Sequence, residues 1–181
     1  SVTAVSVDGT SSTVVLSDPS GRVRSPALMY DDRRAKIQAA RINDAAPTDT
    51  AARGPSSSLA KALRLLEGSP SGDPFMLLHQ ADWILGKLAG TYGVSDENNC
   101  LKLGYDPVAR RWPAWVGALL PDNAVLPRVL PVGTPTGTLS ADTATRLGLP
   151  SHVAVITGTT DSNAATLAAG AAHELGTPLG T

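Results

Sequence analysis

Cysteine is nearly absent from this chain. Cys100 stands alone among 181 residues, so no internal disulfide can form and no cysteine cluster offers a metal site. A lone Cys among mixed apolar and polar neighbours reads as a small buried side chain, and a reducing cytoplasm is the expected location. Histidine is scarce too. His79, His152 and His173 lie far apart without metal-ligand spacing, and each is expected to be structural or at the surface. No apolar run approaches the roughly 18 residues of a membrane span. Excess charge is also missing: 15 Lys and Arg against 16 Asp and Glu leave a net charge of −1. A nucleic-acid footprint needs a clustered basic face. The short pairs Arg33-Arg34 and Arg110-Arg111 are expected on solvated faces or in ion pairs. Neither GxxxxGK followed by Ser or Thr nor GxGxxG occurs, so a nucleotide site within these residues alone is unsupported. Initiator Met and signal peptide are lacking. The chain opens on an apparent strand and closes on Leu179-Gly180-Thr181. Both ends read as cuts through a larger protein, with a processed or engineered chain as the alternative.

What is present suits a soluble globular domain with 42% hydrophobic residues. The most informative stretch runs from Val153 to Ala172. Its β-branched opening (Val153, Val155, Ile156, Thr157) predicts a buried strand. Gly158-Thr159-Thr160-Asp161 follows as a tight polar turn, and Asn163 to Ala172 has the small side chains of a closely packed helix. Strand, polar turn and helix is where α/β enzymes often place reactive groups. Asp161 at the helix start reads either as an N-cap or as a catalytic carboxylate, and the local sequence does not separate the two.

Along the rest of the chain, Val2 to Val7 predicts a strand ending at Asp8-Gly9, followed by the hydroxyl-dense turn Gly9-Thr10-Ser11-Ser12-Thr13. Val14-Val15-Leu16, Asp18-Pro19-Ser20-Gly21 and Arg22-Val23-Arg24 predict a hairpin. Ala27 to Tyr30 reads as another short strand. A helix is expected over roughly Arg34 to Asn43, with Ile37 and Ala40 inward. Residues 44–58 read as a mobile loop. Ser58 to Glu67 predicts a helix carrying Leu59, Leu63 and Leu66, and Pro74 to Leu88 a second one ended by Gly90. Trp83 on that helix is expected to be core. Tyr92 to Tyr105 reads as irregular, and Trp112 and Trp115 as packing on helices. From Leu126 the Pro and Gly content suggests an extended connector with at most one edge strand. Ser140 or Asp142 caps a short helix ending before Gly148.

Taken in order, these segments resemble the FGGY family of carbohydrate kinases over nearly the whole chain, least at residues 44–73. Gly9-Thr10-Ser11-Ser12-Thr13, the hairpin and Tyr30-Asp31-Asp32-Arg33-Arg34 are similar to that family's strand, sugar-contacting turn and "ND-x-R" stretch, with Asp31 where Asn is usual and Arg34 at the Arg position. His79 to Ile84 with Gly90-Thr91 resembles its helix ending in a "TG" turn, and Ser95-Asp96-Glu97-Asn98-Asn99 its "SD-x-S" segment. Thr136 to Leu139, Leu147 to Pro150 and Val153 to Ala172 resemble the approach to the catalytic aspartate. Gly180-Thr181 resembles the first residues of a phosphate-binding "GT-S" turn. Gly9-Thr10-Ser11 in place of a Gln-Met-His type of turn points to the D-ribulose kinase side of the xylulokinase-like branch.

The resemblance implies an α/β fold, part of an actin-like (ribonuclease H-like) ATPase domain with a mixed sheet and flanking helices. It makes residues 1–181 a partial N-terminal, sugar-binding domain, without the opening "D-x-GT" strands and the ATP-binding second domain. It implies a transferase that phosphorylates a ketose, most simply a pentulose such as D-ribulose or D-xylulose, using ATP and Mg2+ in the complete enzyme. Neither is expected to bind well to this chain alone. Asp161 is then the general base, Gly9, Thr10 and Ser11 the sugar-binding residues, and Gly180 and Thr181 an incomplete phosphate turn. The residues alone leave Gly9 to Ser11 open as an ordinary turn. Thr159 and Thr160 are expected to form their turn, Asp8 to hold the first one, and Asp82, Asp96 and Asn98 to cap or brace helices. An exposed sheet edge is expected where further strands belong, inviting self-association. The competing function is a non-catalytic sugar-binding or interaction module derived from such a kinase. A third is a surface-binding domain without a ligand.

Overall fold

The computed structural model describes residues 2–69 and 72–170. Sixteen elements alternate along it without a long helix: β1 (Ala4–Val5), β2 (Val14–Ser17), α1 (Lys36–Ala45), α2 (Ser58–Glu67), β3 (Phe75–His79), α3 (Gln80–Ala89), β4 (Val94–Asp96), α4 (Glu97–Cys100), a 3-10 turn (Leu101–Leu103), α5 (Ala114–Leu119), β5 (Ala124–Val125), β6 (Arg128–Leu130), β7 (Pro135–Thr138), α6 (Ala141–Leu147), β8 (Ala154–Ile156) and α7 (Asp161–Ala168). Among the described residues the strands form three small sheets, ordered β1-β8-β7, β2-β3-β5 and β4-β6. The first two mix parallel and antiparallel pairs, as the expected mixed α/β fold requires. β1 runs parallel to β8 with Val5 opposite Val155, and its other edge is open among the described residues.

Two cores fill the space between the layers. In one, Val14 and Leu16 of β2 and Phe75 and Leu77 of β3 meet Ile42 of α1, Leu59, Leu63 and Leu66 of α2, and Val116 of α5. Trp112 and Trp115 pack against it. In the other, Leu85 of α3, Ala144 of α6 and Val153 and Val155 around β8 close the site-bearing sheet. Ser57 starts α2 by accepting from the Ala60 N–H, and Ser140 starts α6 by accepting from Thr143. Left-handed Gly90 and Gly148 end α3 and α6. The hairpin turn at Asp18 to Gly21 forms as expected, with the Asp18 carboxylate accepting from the Ser20 and Arg22 N–H groups.

Several expectations need correction. The helix predicted over Pro74–Leu88 divides: Phe75–His79 is strand β3, paired to β2 and β5, and the helix begins at Gln80. The four-residue apolar run Phe75 to Leu78, covered on both faces, has no period to reveal it. Tyr92–Tyr105 is not irregular. It holds β4, α4 and the 3-10 turn. The stretch expected to carry one edge strand carries β6 and β7, and β5 precedes it. α1 starts at Lys36, later than expected, and turns Ala35, Gln38, Ala39 and Ile42 inward. Ile37 is 74% exposed, and Ala40 is exposed too, because Ile42 sets the phase of the helix. The opening strand is limited to Ala4–Val5, and Leu28 alone bridges to Val14 where a strand was expected. α7 buries none of its described residues, so its close packing is not seen. The continuation to Ala172, together with His173, lies outside the described residues.

Candidate active site

Two turns distant in sequence meet at the end of the β1-β8 pair. Gly9 bridges to Thr160. Its N–H donates to the Thr159 carbonyl at 3.2 Å, and the Asp161 N–H donates back to the Gly9 carbonyl at 3.0 Å. The expected sugar-contacting turn and the expected acid are therefore joined through backbone. Both sides need glycine. A Cβ on Gly9 would stand 2.9 Å from the Ala81 nitrogen, and one on Gly158 only 2.0 Å from the Val7 carbonyl oxygen.

The first turn is internally braced. The Thr10 N–H and hydroxyl both donate to Gln80 Oε1 at 3.0 Å, and the Thr10 and Thr13 hydroxyls lie 2.6 Å apart. Gln80 opens α3 and donates its own N–H to the Thr13 carbonyl. The Thr10 hydroxyl is thus engaged inside the protein, whereas Ser11 is half-buried. Ser12 adopts a left-handed conformation at φ 66°, and its buried hydroxyl has no partner. Beneath the turn, the fully buried Lys61 donates to the carbonyls of Ser12 (2.9 Å), Met29 (2.6 Å) and Tyr30 (3.1 Å). Burial lowers its pKa to about 8. On the adjoining segment Arg34 grips Asp32 with two nitrogens, and that hydrogen bonding holds the Asp32 carboxyl down at about 2.

Asp161 is exposed. It is the first residue of α7, and the cap position belongs to Thr160, whose side chain caps nothing. Asp161 is therefore not an N-cap. Its Oδ1 accepts from the N–H of Ser162 at 2.7 Å, the only hydrogen bond of this carboxylate among the described residues. Thr159 and Thr160 are buried in the turn as expected. Asn98 donates to the Thr159 hydroxyl at 2.8 Å, which ties α4 to the turn.

Behind the site lies a buried polar cluster. Asp82 and His79 form a capping box on α3, the His79 Nδ1–Asp82 Oδ2 distance is 2.9 Å, and His79 Nε2 is 3.1 Å from Ser58 Oγ. Ser, His and Asp stand in the order of a nucleophilic triad. Their exposures of 0%, 1% and 3% exclude substrate, and the three pin α2, β3 and α3 together. Asp96 caps α4 by accepting from Asn98 and Asn99 N–H groups, while burial raises its pKa. Burial also raises the Cys100 thiol well above its ordinary value, so it is inert.

A cavity of about 430 Å³ opens beside Thr159, lined by Glu97, Asn98, Arg110, Asn163, Pro131, Val132 and Leu167. Arg110 enters it from a left-handed backbone at φ 50°. Asp161 is not among the lining residues. Sequence reasoning named Glu97, Asn98, Arg110 and Thr159 separately without bringing them together, and it did not single out Lys61. The signal available for Lys61 was a cation between Ala60 and Ala62, within the apolar run Leu59 to Leu63. Among the described residues no group of three or more His, Cys, Asp or Glu is placed to hold a metal ion, and no helix is long and apolar enough to cross a membrane. Gly180 and Thr181 lie outside the described residues.

No family model matches the chain. Its fold matches solved structures of sugar kinases. The xylulose kinase from Rhodospirillum rubrum superposes with a TM-score of 0.77 at 28% identity, over 93% of this chain and 36% of that one. The carbohydrate kinase from Novosphingobium aromaticivorans gives 0.68 at 22% identity, over 93% and 38%. Plasmodium falciparum glycerol kinase shares the fold at 0.74 and 14% identity, over 91% and 35%. The chain thus spans little more than a third of each of these proteins.

Proposed function

We propose, from the premise that this chain belongs to the carbohydrate kinases, that it forms the sugar-facing part of an FGGY-type, ATP-dependent, cytoplasmic kinase acting on a ketose, most simply the pentuloses D-ribulose or D-xylulose. The observation that carries this proposal is the backbone contact between Gly9 and the Thr159–Asp161 turn. It sets a free carboxylate beside a turn rich in hydroxyls. Phosphoryl transfer to an alcohol needs little else from the protein at this end, because positioning and electrostatics dominate. In the proposed step the sugar hydroxyl oxygen attacks the γ-phosphorus of ATP, the bond from that phosphorus to the bridging oxygen breaks, and ADP leaves. Asp161 accepts the hydroxyl proton. Gly9 lets the polyol approach the backbone. Ser11 offers it a donor and acceptor, and Thr10 shapes the turn, its N–H and hydroxyl both donating to Gln80 Oε1.

Gly180 and Thr181 would begin the phosphate turn, with ATP and Mg2+ held in the complete enzyme. Among the described residues no cluster of three or more His, Cys, Asp or Glu stands ready for Mg2+. The isolated 181-residue chain is accordingly expected to phosphorylate nothing. The test is Asp161→Asn in the complete protein. Turnover should fall by three orders of magnitude or more while ketose binding, read by titration calorimetry, stays within about threefold. Near-normal turnover would remove Asp161 from this role.

A further inference from the structure

Lys61 has no part in the chemistry proposed above, yet its position is costly to maintain. An ammonium group at 0% exposure is cut off from bulk solvent. It is retained where three donors meet three carbonyls. Ser12 belongs to the turn after Gly9, whereas Met29 and Tyr30 belong to the segment leading to Asp32. One side chain of α2 thus ties both loops to the helix. Ser12 is the strained member, left-handed and with an unpartnered buried hydroxyl. Such a conformation persists only where its surroundings over-determine it, and at Ser12 the Lys61 bond to its carbonyl does so. We propose that Lys61 is a positioning residue that holds the polyol-binding turn in its ligand-ready shape, and that it does so only as the ammonium ion. This rests on the assignment of Gly9 to Ser11 to the sugar.

The charge dependence follows from donor number. An ammonium has three N–H donors and a neutral amine two, so deprotonation releases one carbonyl. The proton is lost near pH 8, driven down by burial and by Lys102 on the 3-10 turn, against the pull of Asp32 and Asp31. Around α2, Arg34 pairs with Asp32, Glu67 with Gln38 and Arg41 of α1, and His79 with Asp82 and Ser58.

The experiment is steady-state kinetics of the complete protein with D-ribulose and D-xylulose at pH 7 and 9.5. The ketose KM should rise about fivefold to tenfold, the size of one lost hydrogen bond, while kcat and the KM for ATP change less than twofold. Lys61→Met should show the raised ketose KM at both pH values. Lys61→Arg, which stays charged throughout, should show no pH dependence. A wild-type ketose KM that is flat from pH 7 to 9.5 overturns the proposal without any variant having to fold. If the wild-type protein phosphorylates no ketose, the kinase assignment falls separately. Calorimetric binding of D-ribulose or D-xylulose at the two pH values then decides for Lys61: weaker binding at pH 9.5 supports it, and equal or absent binding overturns it.

Discussion

The seam between the two halves of the site can be opened by one methyl group. A Cβ at position 158 would lie 2.0 Å from the Val7 carbonyl oxygen and 2.7 Å from its carbon, where real Cβ contacts stay above 3.0 Å. The obstacle is backbone, so it cannot rotate away, and the two strands must part by about 1 Å. That movement strains the Gly9 N–H bond to Thr159 and the Asp161 N–H bond to Gly9. Overpacking costs about 1–3 kcal/mol, and weakening two hydrogen bonds adds about 1 kcal/mol. Gly158→Ala should therefore destabilise by about 2–4 kcal/mol, lowering Tm by roughly 5–15 °C for a domain of this size. Displacement by about 1 Å costs on the order of 100-fold in rate where reacting groups are positioned by the fold. Urea unfolding and a coupled ADP-release assay on the complete protein measure the two effects. Gly117→Ala is the control. It sits within α5 with nothing near its added carbon and should gain about 0.5–1 kcal/mol. Wild-type stability and turnover in Gly158→Ala would refute the close approach and the coupling drawn from it.

Other outcomes are equally open to measurement. Asp82→Ala removes both the α3 cap and the partner of buried His79, and should cost about 2–4 kcal/mol in denaturant unfolding. Lys61 binds its proton less tightly folded, near pH 8, than unfolded, near 10.5. The unfolded chain holds more protons between those values, so stability should rise with pH through that window and be constant below it. Lys61→Met should abolish the slope. Stability and ketose affinity are thus predicted to move in opposite directions above pH 8. Asp32 gives a slope of the same sign in the acid range. Its carboxyl is held near 2 by Arg34, so its contribution is present above about pH 4 and disappears as the pH falls toward 2. Asp32→Asn should cost no more than about 1 kcal/mol, because the pair is partly exposed to solvent.

Local chemistry made much of this protein legible. α2 was read to its bounds, because Leu59, Leu63 and Leu66 repeat at the helical period. α6 was legible from Ser140 and Gly148, which cap it at either end. The turn before Asp161 was visible as β-branched residues giving way to Gly-Thr-Thr-Asp. β3 was not legible, since Phe75 to Leu78 is apolar on both faces and carries neither the helical nor the strand period. β4, β6 and β7 were hidden because strands of three or four residues are defined by their neighbours more than by their own residues.

For the site, sequence alone offered the candidate groups: the carboxylate of Asp161, the hydroxyls after Gly9, and the order that resembles a sugar kinase. Side-chain identity is local, and each residue brings its own donors, acceptors and charge. Tertiary structure alone decided which of them meet and which are free. The parallel pairing of β1 with β8 brought residue 9 against residue 161. Gln80 took the hydroxyl of Thr10 inward, and a lysine on a distant helix reached the carbonyls of the turn. Those contacts span dozens of residues, and the free energy that orders them comes from burying two cores that no single segment contains.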